Sequence, residues 1–304
     1  MTDRGLQRPD NQDSFVVRPD LGLFVVADGV GRSPAGALAS ALAVQEVERR
    51  IERAHRRDAP SRPTASAMRG RLATAFTCAD ARVFDAGRRD PQHGGMVTTL
   101  AAMVIAHDRV VIAHIGDSRI YRLRGRDIDR TRSRGWWNRT VLEQLTRDHT
   151  VAEDPAYRGR GLDRAELQKL TRVIGHGDVS HVPVRVETVE PEDTFLLCTD
   201  GVHGVFFDHQ MEPPLRSPGG LRRAKDPEGR IALPDLQCRW LVDRAKQRGA
   251  PDNVTLVVVR FKKGRGQCPT VREIGSVVHA RAPGPLPPAA VPPATRRSER
   301  DDED

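Results

Sequence analysis

Two stretches of this 304-residue chain read almost alike. Residues 23–29 are Leu-Phe-Val-Val-Ala-Asp-Gly and residues 195–201 are Phe-Leu-Leu-Cys-Thr-Asp-Gly. Each is an apolar run of the kind that forms a buried strand. Each ends on a carboxylate followed by glycine, which bends freely and leaves its carbonyl approachable. A third apolar run, 110–115, leads into Gly116-Asp117-Ser118, and Asp252 stands just before a fourth at 254–261. In antiparallel pairing the end of one strand lies beside the start of its neighbour, so Asp28, Asp117, Asp200 and Asp252 can share one rim. Four ionised carboxylates do not crowd together without cations between them. Hard oxygen donors suit Mg²⁺ or Mn²⁺. The chemistry expected is that of a carboxylate-built divalent-metal site.

The elements that must position these acids follow from periodicity. The sequence predicts a helix from Ala37 onward, with Ala41, Val44, Val47 and Ile51 at helical spacing, Ser33 as its N-cap and Pro34 at its first position. A second helix is expected over 64–86, with Met68, Leu72, Phe76, Ala79 and Val83 on one face. Residues 96–106 and 109–115 read as paired strands about His107-Asp108, and 119–124 as a third. Further strands are expected at 184–189, 195–200 and 254–261, with helices near 163–169 and over 236–248. The Pro-, Gly- and Arg-rich stretch 213–234 reads as a long surface loop. Residues 125–140, arginine-rich and holding Trp136-Trp137, read as an exposed insertion. Residues 1–262 form the expected domain, and 263–304 a Pro-rich, disordered tail.

Composition narrows the classes. The net charge is +8, but 41 acidic residues are interspersed among 49 basic ones. No aromatic-plus-basic repeat or zinc spacing supports nucleic-acid binding. No apolar run reaches the ~18 residues of a membrane span, and no apolar signal core opens the chain. Cys78, Cys198, Cys238 and Cys268 form no CxxC pair, so reduced thiols are expected, with Cys78 and Cys198 in apolar patterns, in a cytoplasmic protein.

Taken in order, eight short motifs give the chain a family likeness. They are Arg-Gly-Leu-Gln-Arg-Pro-Asp-Asn-Gln-Asp (4–13), Ala-Asp-Gly-Val-Gly (27–31), Thr-Thr-Leu (98–100) and His-Ile-Gly-Asp-Ser-Arg (114–119). Then come Leu-Thr-Arg-Asp-His (145–149), Leu-Thr-Arg-Val-Ile-Gly (170–175), Cys-Thr-Asp-Gly-Val (198–202) and Asp-Asn-Val-Thr (252–255). Together they resemble the metal-dependent Ser/Thr protein phosphatases of the type 2C family in their compact bacterial form. The resemblance implies an α+β fold, a four-layer α-β-β-α sandwich of two antiparallel sheets flanked by helices. It also implies hydrolysis of phosphoserine and phosphothreonine on proteins by a hydroxide bridging two Mn²⁺ or Mg²⁺ ions, with no covalent intermediate. By that likeness Asp28 bridges the metals with the Gly29 carbonyl as a further ligand, Asp200 and Asp252 complete the set, and Asp117 with Asp200 holds a weaker third ion. Arg8 grips the phosphate. Gln12, Asp13 and Asn253 stand behind the ligands, Asn253 orienting Asp252 or a metal-bound water, and Asp148 and His149 brace a flap over 150–175. The partners implied are phosphorylated proteins and an opposing Ser/Thr kinase.

The chain departs from the family pattern at several places. Gln12 stands where glutamate is usual and carries no charge. Val30 replaces the histidine of eukaryotic relatives, which passes leaving-group protonation to a metal-bound water. Val97 and Arg32 stand where glycines are usual. Met1 falls almost on the first motif, so a sheet edge is expected either to continue upstream or to stay open. The alternatives these departures raise are a phosphatase-like binding module without catalysis, and a scaffold that recruits partners through its insertion and tail.

Overall fold

The structure, a computed structural model, describes residues 1–31, 34–58, 63–124, 142–216, 233–262 and 270–275. Ser33, Arg32, the Trp136-Trp137 insertion and the chain from 276 onward lie outside these residues. Strands β1 (Thr2–Asp3), β2 (Asp13–Arg18) and β3 (Leu23–Val30) precede helices α1 (Ala35–Asp58) and α2 (Ala65–Arg89). Strands β4 (Val97–Thr98), β5 (Leu100–Ala106), β6 (Arg109–Ile115), β7 (Arg119–Leu123) and β8 (Leu142–Gln144) follow, then the short α3 (Arg164–Leu167). Strands β9 (Val184–Thr188) and β10 (Thr194–Cys198) lead to α4 (Asp200–His203), α5 (Asp208–Arg216) and α6 (Leu233–Gln247), and β11 (Val254–Lys262) and β12 (Thr270–Gly275) close the order.

Two antiparallel sheets result. One runs β2-β3-β5-β6-β9 with β4 beside β3, and the other β1-β11-β10-β7-β8 with β12 beside β11. Period-2 alternation turns them into layers. Leu23, Val25 and Ala27 of β3 pack with α1 and α2, whereas Phe24 and Val26 face Phe195, Leu197, Val257 and Val259 of the other sheet. Leu196 and Cys198 of β10, with Leu256 and Val258 of β11, point outward to Met211, Leu241 and Val242 on α5 and α6. Apolar residues on both faces of the central strands therefore force helix, sheet, sheet, helix. This is the α-β-β-α sandwich that the resemblance implies.

Several expectations need correction. The stretch 213–234 is not one loop: Pro213 and Pro214 lie inside α5, and Pro234 sits in the first turn of α6, where a missing N–H costs nothing. Helix α5 survives its prolines because Met211, Pro214 and Leu215 are buried, while Gln237 Nε2 donates to the Pro214 and Leu215 carbonyls at 3.0 Å each. Strand β12 lies within the stretch expected as tail and pairs with β11. At the sheet edge, β1 pairs with β11 over two residues, Thr2 opposite Thr255 and Asp3 opposite Val254. Cys238 is buried along with Cys198, whereas Cys78 is half-buried. No helix among the described residues is long and apolar enough to cross a membrane.

The inter-sheet layer sets the spacing between the two halves of the rim. Phe195, fully buried and edge-on to Phe261 with ring centroids 5.7 Å apart, fills its middle. Phe195→Ala is expected to lower the unfolding free energy by about 3–5 kcal/mol, measured by urea denaturation.

Candidate active site

The sandwich brings the sequence-selected acids to one end of the molecule, two from each sheet. Asp28 lies near the end of β3 and Asp117 follows β6, while Asp200 follows β10 and Asp252 precedes β11. Asp13 opens β2 directly opposite Asp28. Their backbones are fixed by contacts that leave no room for a side chain. A Cβ on Gly29 would fall 2.0 Å from the Gly36 carbonyl oxygen at the start of α1, and one on Gly201 would fall 1.8 Å from the Asn253 carbonyl oxygen. Each Asp-Gly pair therefore needs its glycine for close approach of backbone to backbone.

Thr98 and Thr99 clamp Asp28. Thr98 Oγ1 donates to its carbonyl at 2.7 Å, Thr99 N–H does so at 2.8 Å, and the Asp28 N–H donates to Thr99 Oγ1 at 2.9 Å. Thr99 Oγ1 also meets Ser118 Oγ at 2.7 Å, tying this clamp to the residue after Asp117. Asp13 is buried; its Oδ2 accepts from Thr199 Oγ1 at 2.9 Å, while its Oδ1 has no partner.

Electrostatics set the acids against one another. Burial first, then Asp13, Asp200, Asp117 and Asp252, push the Asp28 carboxyl well above the usual carboxylate range. Burial and then Asp252 raise Asp200, which Asp28 and the charge of Arg8 partly offset. Burial, with Asp200 and Asp148 adding, lifts Asp117 to about 7. Asp13 is pushed to about 7 by burial, against hydrogen bonds from Thr255 and Thr199 that pull it down. Asp200 Oδ1 is buried with no hydrogen-bond partner among the described residues.

These observations fit a divalent ion. Hard carboxylate oxygens, an orphaned one among them, meet in a setting that disfavours their own charge. Among the described residues no three His, Cys, Asp or Glu side chains converge on one point. Ions at this rim would take one or two carboxylates each and fill their remaining positions with carbonyl oxygen and water, as Mg²⁺ does.

Arg8 lies against Asp252 as a two-pronged pair, Nε to Oδ1 at 2.9 Å and Nη2 to Oδ2 at 2.6 Å, and this bond raises its pKa. Asn253 meets Asp252 through its backbone and other parts of the chain through its side chain. Its side chain ties down the loop that carries Arg8, Nδ2 donating to the Arg4 and Asp10 carbonyls at 2.9 Å each and Oδ1 accepting from Gln12 N–H at 2.8 Å. Only its backbone N–H reaches Asp252, at 2.8 Å. Gln12 lies behind Gly29, which donates to its carbonyl at 3.2 Å.

The family model for protein phosphatase 2C matches residues 4–224. The chain belongs to the protein phosphatase 2C family. It is an enzyme of the protein serine/threonine phosphatase class, as the motif resemblance implied. The serine/threonine phosphatase stp of Listeria monocytogenes is 27% identical over 275 residues, covering 87% of this chain and 96% of that protein. The Mycobacterium tuberculosis phosphatase PstP/Ppp has a solved structure that covers 86% of this chain and 97% of its own, at TM-score 0.66 and 26% identity. The PstP catalytic domain described in complex with two manganese ions matches at TM-score 0.61 and 27% identity, covering 85% of this chain. A metal-dependent phosphatase is the reading these relatives support.

Sequence reasoning quoted Thr98 and Thr99 as a motif without a role, and it missed His203. His203 Nε2 donates to the Asp117 carbonyl at 3.0 Å, and burial lowers its pKa to about 4. The 150–175 flap is anchored where its two ends pair, Thr171 N–H to the His149 carbonyl at 2.8 Å and Val151 N–H to the Lys169 carbonyl at 2.9 Å. Asp148 grips the Arg119 guanidinium at 2.7–3.0 Å, consistent with bracing.

The raised carboxyls make metal-free stability pH-dependent. Between about 4 and about 7 the folded chain holds protons on Asp13 and Asp117 that the unfolded chain has released, so stability falls as pH rises through that window. In EDTA, Tm is expected to drop across it, and Mn²⁺ is expected to flatten the drop. Asp200→Asn, which removes one repelling charge, is expected to raise the metal-free Tm while shrinking the rise caused by Mn²⁺. Each kcal/mol gained corresponds to about 2–4 °C at this size. Differential scanning calorimetry reads both effects.

Proposed function

We propose that the chain hydrolyses phosphoserine and phosphothreonine esters on proteins by in-line attack of hydroxide at phosphorus, with no covalent enzyme intermediate. The observation that carries this reading is the cluster of mutually repelling carboxyls beside a two-pronged arginine. Two ions, Mn²⁺ or Mg²⁺, would be held by Asp28, the Gly29 carbonyl, Asp200 and Asp252, and a weaker third by Asp117 with Asp200. When bound, such ions supply a water that ionises near neutral pH and positive charge opposite the transferring phosphoryl group.

The chain's own residues do the rest. Arg8 presents a planar fork that now holds a carboxylate, and the same fork matches two phosphate oxygens. Holding the phosphate at two points fixes the direction of the scissile bond. Those hydrogen bonds strengthen as negative charge builds on the equatorial oxygens. Asn253 keeps the Arg8 loop seated, and the Thr98–Thr99 clamp keeps Asp28 facing the rim. On this reading the partners are phosphorylated proteins, with a Ser/Thr kinase as the opposing activity. The free thiols at Cys78 and Cys198 support a reducing, cytoplasmic setting.

Hydrolysis of a phosphothreonine peptide tests the reading. Wild type is expected to release phosphate with Mn²⁺ and not with EDTA, and Asp200→Asn to lose most of this activity. Arg8→Ala removes hydrogen bonds to a charged group, worth about 1.5–3 kcal/mol, so kcat/KM is expected to fall by roughly one to two orders of magnitude. Wild type that binds Mn²⁺ in calorimetry yet releases no phosphate would favour the binding-module alternative.

A further inference from the structure

Asp117 is held differently from the other acids. No glycine–carbonyl contact of the Gly29 or Gly201 kind locks it from behind; instead two histidines grip the turn on either side of it. Ahead of it, Gly116 donates its N–H to His149 Nδ1 at 3.1 Å, and its carbonyl accepts the His149 N–H at 3.0 Å. At Asp117 itself, the carbonyl accepts from His203 Nε2 at 3.0 Å. Gly116 adopts φ +98°, and a Cβ there would fall 2.7 Å from the Thr99 side chain, so the turn has little freedom apart from these two contacts.

The hydrogen bonds fix both rings. Nδ1 of His149 accepts from Gly116 while the Arg172 guanidinium lies 3.4 Å from its Nε2, and His203 donates through Nε2. The His149 ring is also fixed in plane, stacked on His114 with centroids 4.7 Å apart and planes 4° apart, and His114 is itself held by Nε2 donating to the Arg147 carbonyl at 2.7 Å. His149 belongs to the strand-like base of the flap, where its carbonyl takes the Thr171 N–H. His203 ends α4, the helix that Asp200 begins. The clasp therefore joins Asp117 to the flap on one side and to Asp200 on the other.

We propose that His149 and His203 are paired positioning residues that hold the Asp117 turn for its ion, and so set the affinity of the weaker divalent site. This rests on the reading of Asp117 as a metal acid. Neither ring is a ligand; each acts through the backbone of Gly116-Asp117. Partners behind metal ligands typically change affinity by about 10–100-fold when removed.

Four variants of the full chain separate this from packing. His149→Phe keeps an aromatic ring to stack on His114 but cannot accept from Gly116, whereas His149→Asn places an amide oxygen close to where Nδ1 stood. His203→Met removes the donor, and His203→Gln restores one near Nε2. Calorimetric Mn²⁺ titration and phosphopeptide hydrolysis are run on each, with Asp117→Asn beside them. The expected result is a weakened low-affinity Mn²⁺ phase, by about tenfold or more, in His149→Phe, His203→Met and Asp117→Asn. In the two histidine variants kcat at saturating Mn²⁺ stays within a few-fold of wild type, and His149→Asn and His203→Gln recover most of the affinity. Phe and Met variants with wild-type Mn²⁺ binding beside a shifted Asp117→Asn overturn the clasp. Equal losses in the conservative variants overturn it too, since packing alone would then account for the effect. An unshifted Asp117→Asn removes the metal role of Asp117, and the clasp's purpose with it, while hydrolysis by wild type still reports separately on the phosphatase reading.

Discussion

The mutual repulsion of carboxyls at one end of the sandwich is the constraint on which the rest of the structure depends. Asp13, Asp28, Asp117 and Asp200 all have raised pKa values, burial being the largest cause in each case. A folded protein tolerates such a cluster only if the surrounding framework is strong enough to hold it and something else supplies the charge that would relieve it. The framework is the double sheet, whose strands are apolar on both faces and so anchor the acids from two directions. The Arg8 fork on Asp252 supplies part of that charge, and the divalent cations proposed for this rim would supply the rest. Stability and function pull against each other here, as they do wherever like charges are gathered for chemistry.

That opposition explains the local architecture. A carboxylate that repels its neighbours would swing away if its backbone were free. Gly29 against Gly36 and Gly201 against Asn253 are packed too closely for any Cβ, and the Thr98–Thr99 clamp takes both backbone polar groups of Asp28. Asn253 spends both its side-chain donors and one acceptor on the 4–12 loop. The cation of Arg8 and the anion of Asp252 are therefore positioned by adjacent parts of one hydrogen-bonded unit, although they lie 244 residues apart.

Much of this was legible in the sequence, for identifiable reasons. Apolar runs ending in Asp-Gly encode both the buried strand and the sharp exit from it, so Asp28 and Asp200 could be picked out without a structure. The core faces of α1 and α2 followed from 3.6-residue spacing, because long amphipathic helices report their buried side directly. The prolines of α5 misled, since proline predicts a break and only the burial of Met211 and Leu215, with Gln237 capping from α6, overrides it. The side-chain partners of Asn253 could not be read from the sequence, because they lie at the other end of the chain. His203 was invisible for the same reason: nothing in Asp-Gly-Val-His signals that the ring reaches back to residue 117.

Gln12 shows how one substitution is absorbed by such a site. The family's usual glutamate would add a further negative charge to a cluster that already resists ionisation. The amide removes that charge and can donate, which no ionised carboxylate does. Its Nε2 reaches the Gly31 carbonyl at 3.4 Å, the long end of hydrogen-bond range, and its carboxamide stands 2.9 Å from where a Cβ on Gly36 would be. Gln12 thus lies behind the Asp28-Gly29-Val30-Gly31 turn, filling the space between that turn and the start of α1. The exchange lowers repulsion at the rim and replaces electrostatic reach with packing and a weak clasp on the turn. In a site whose main difficulty is excess negative charge, this departure from the family pattern takes charge away without adding any.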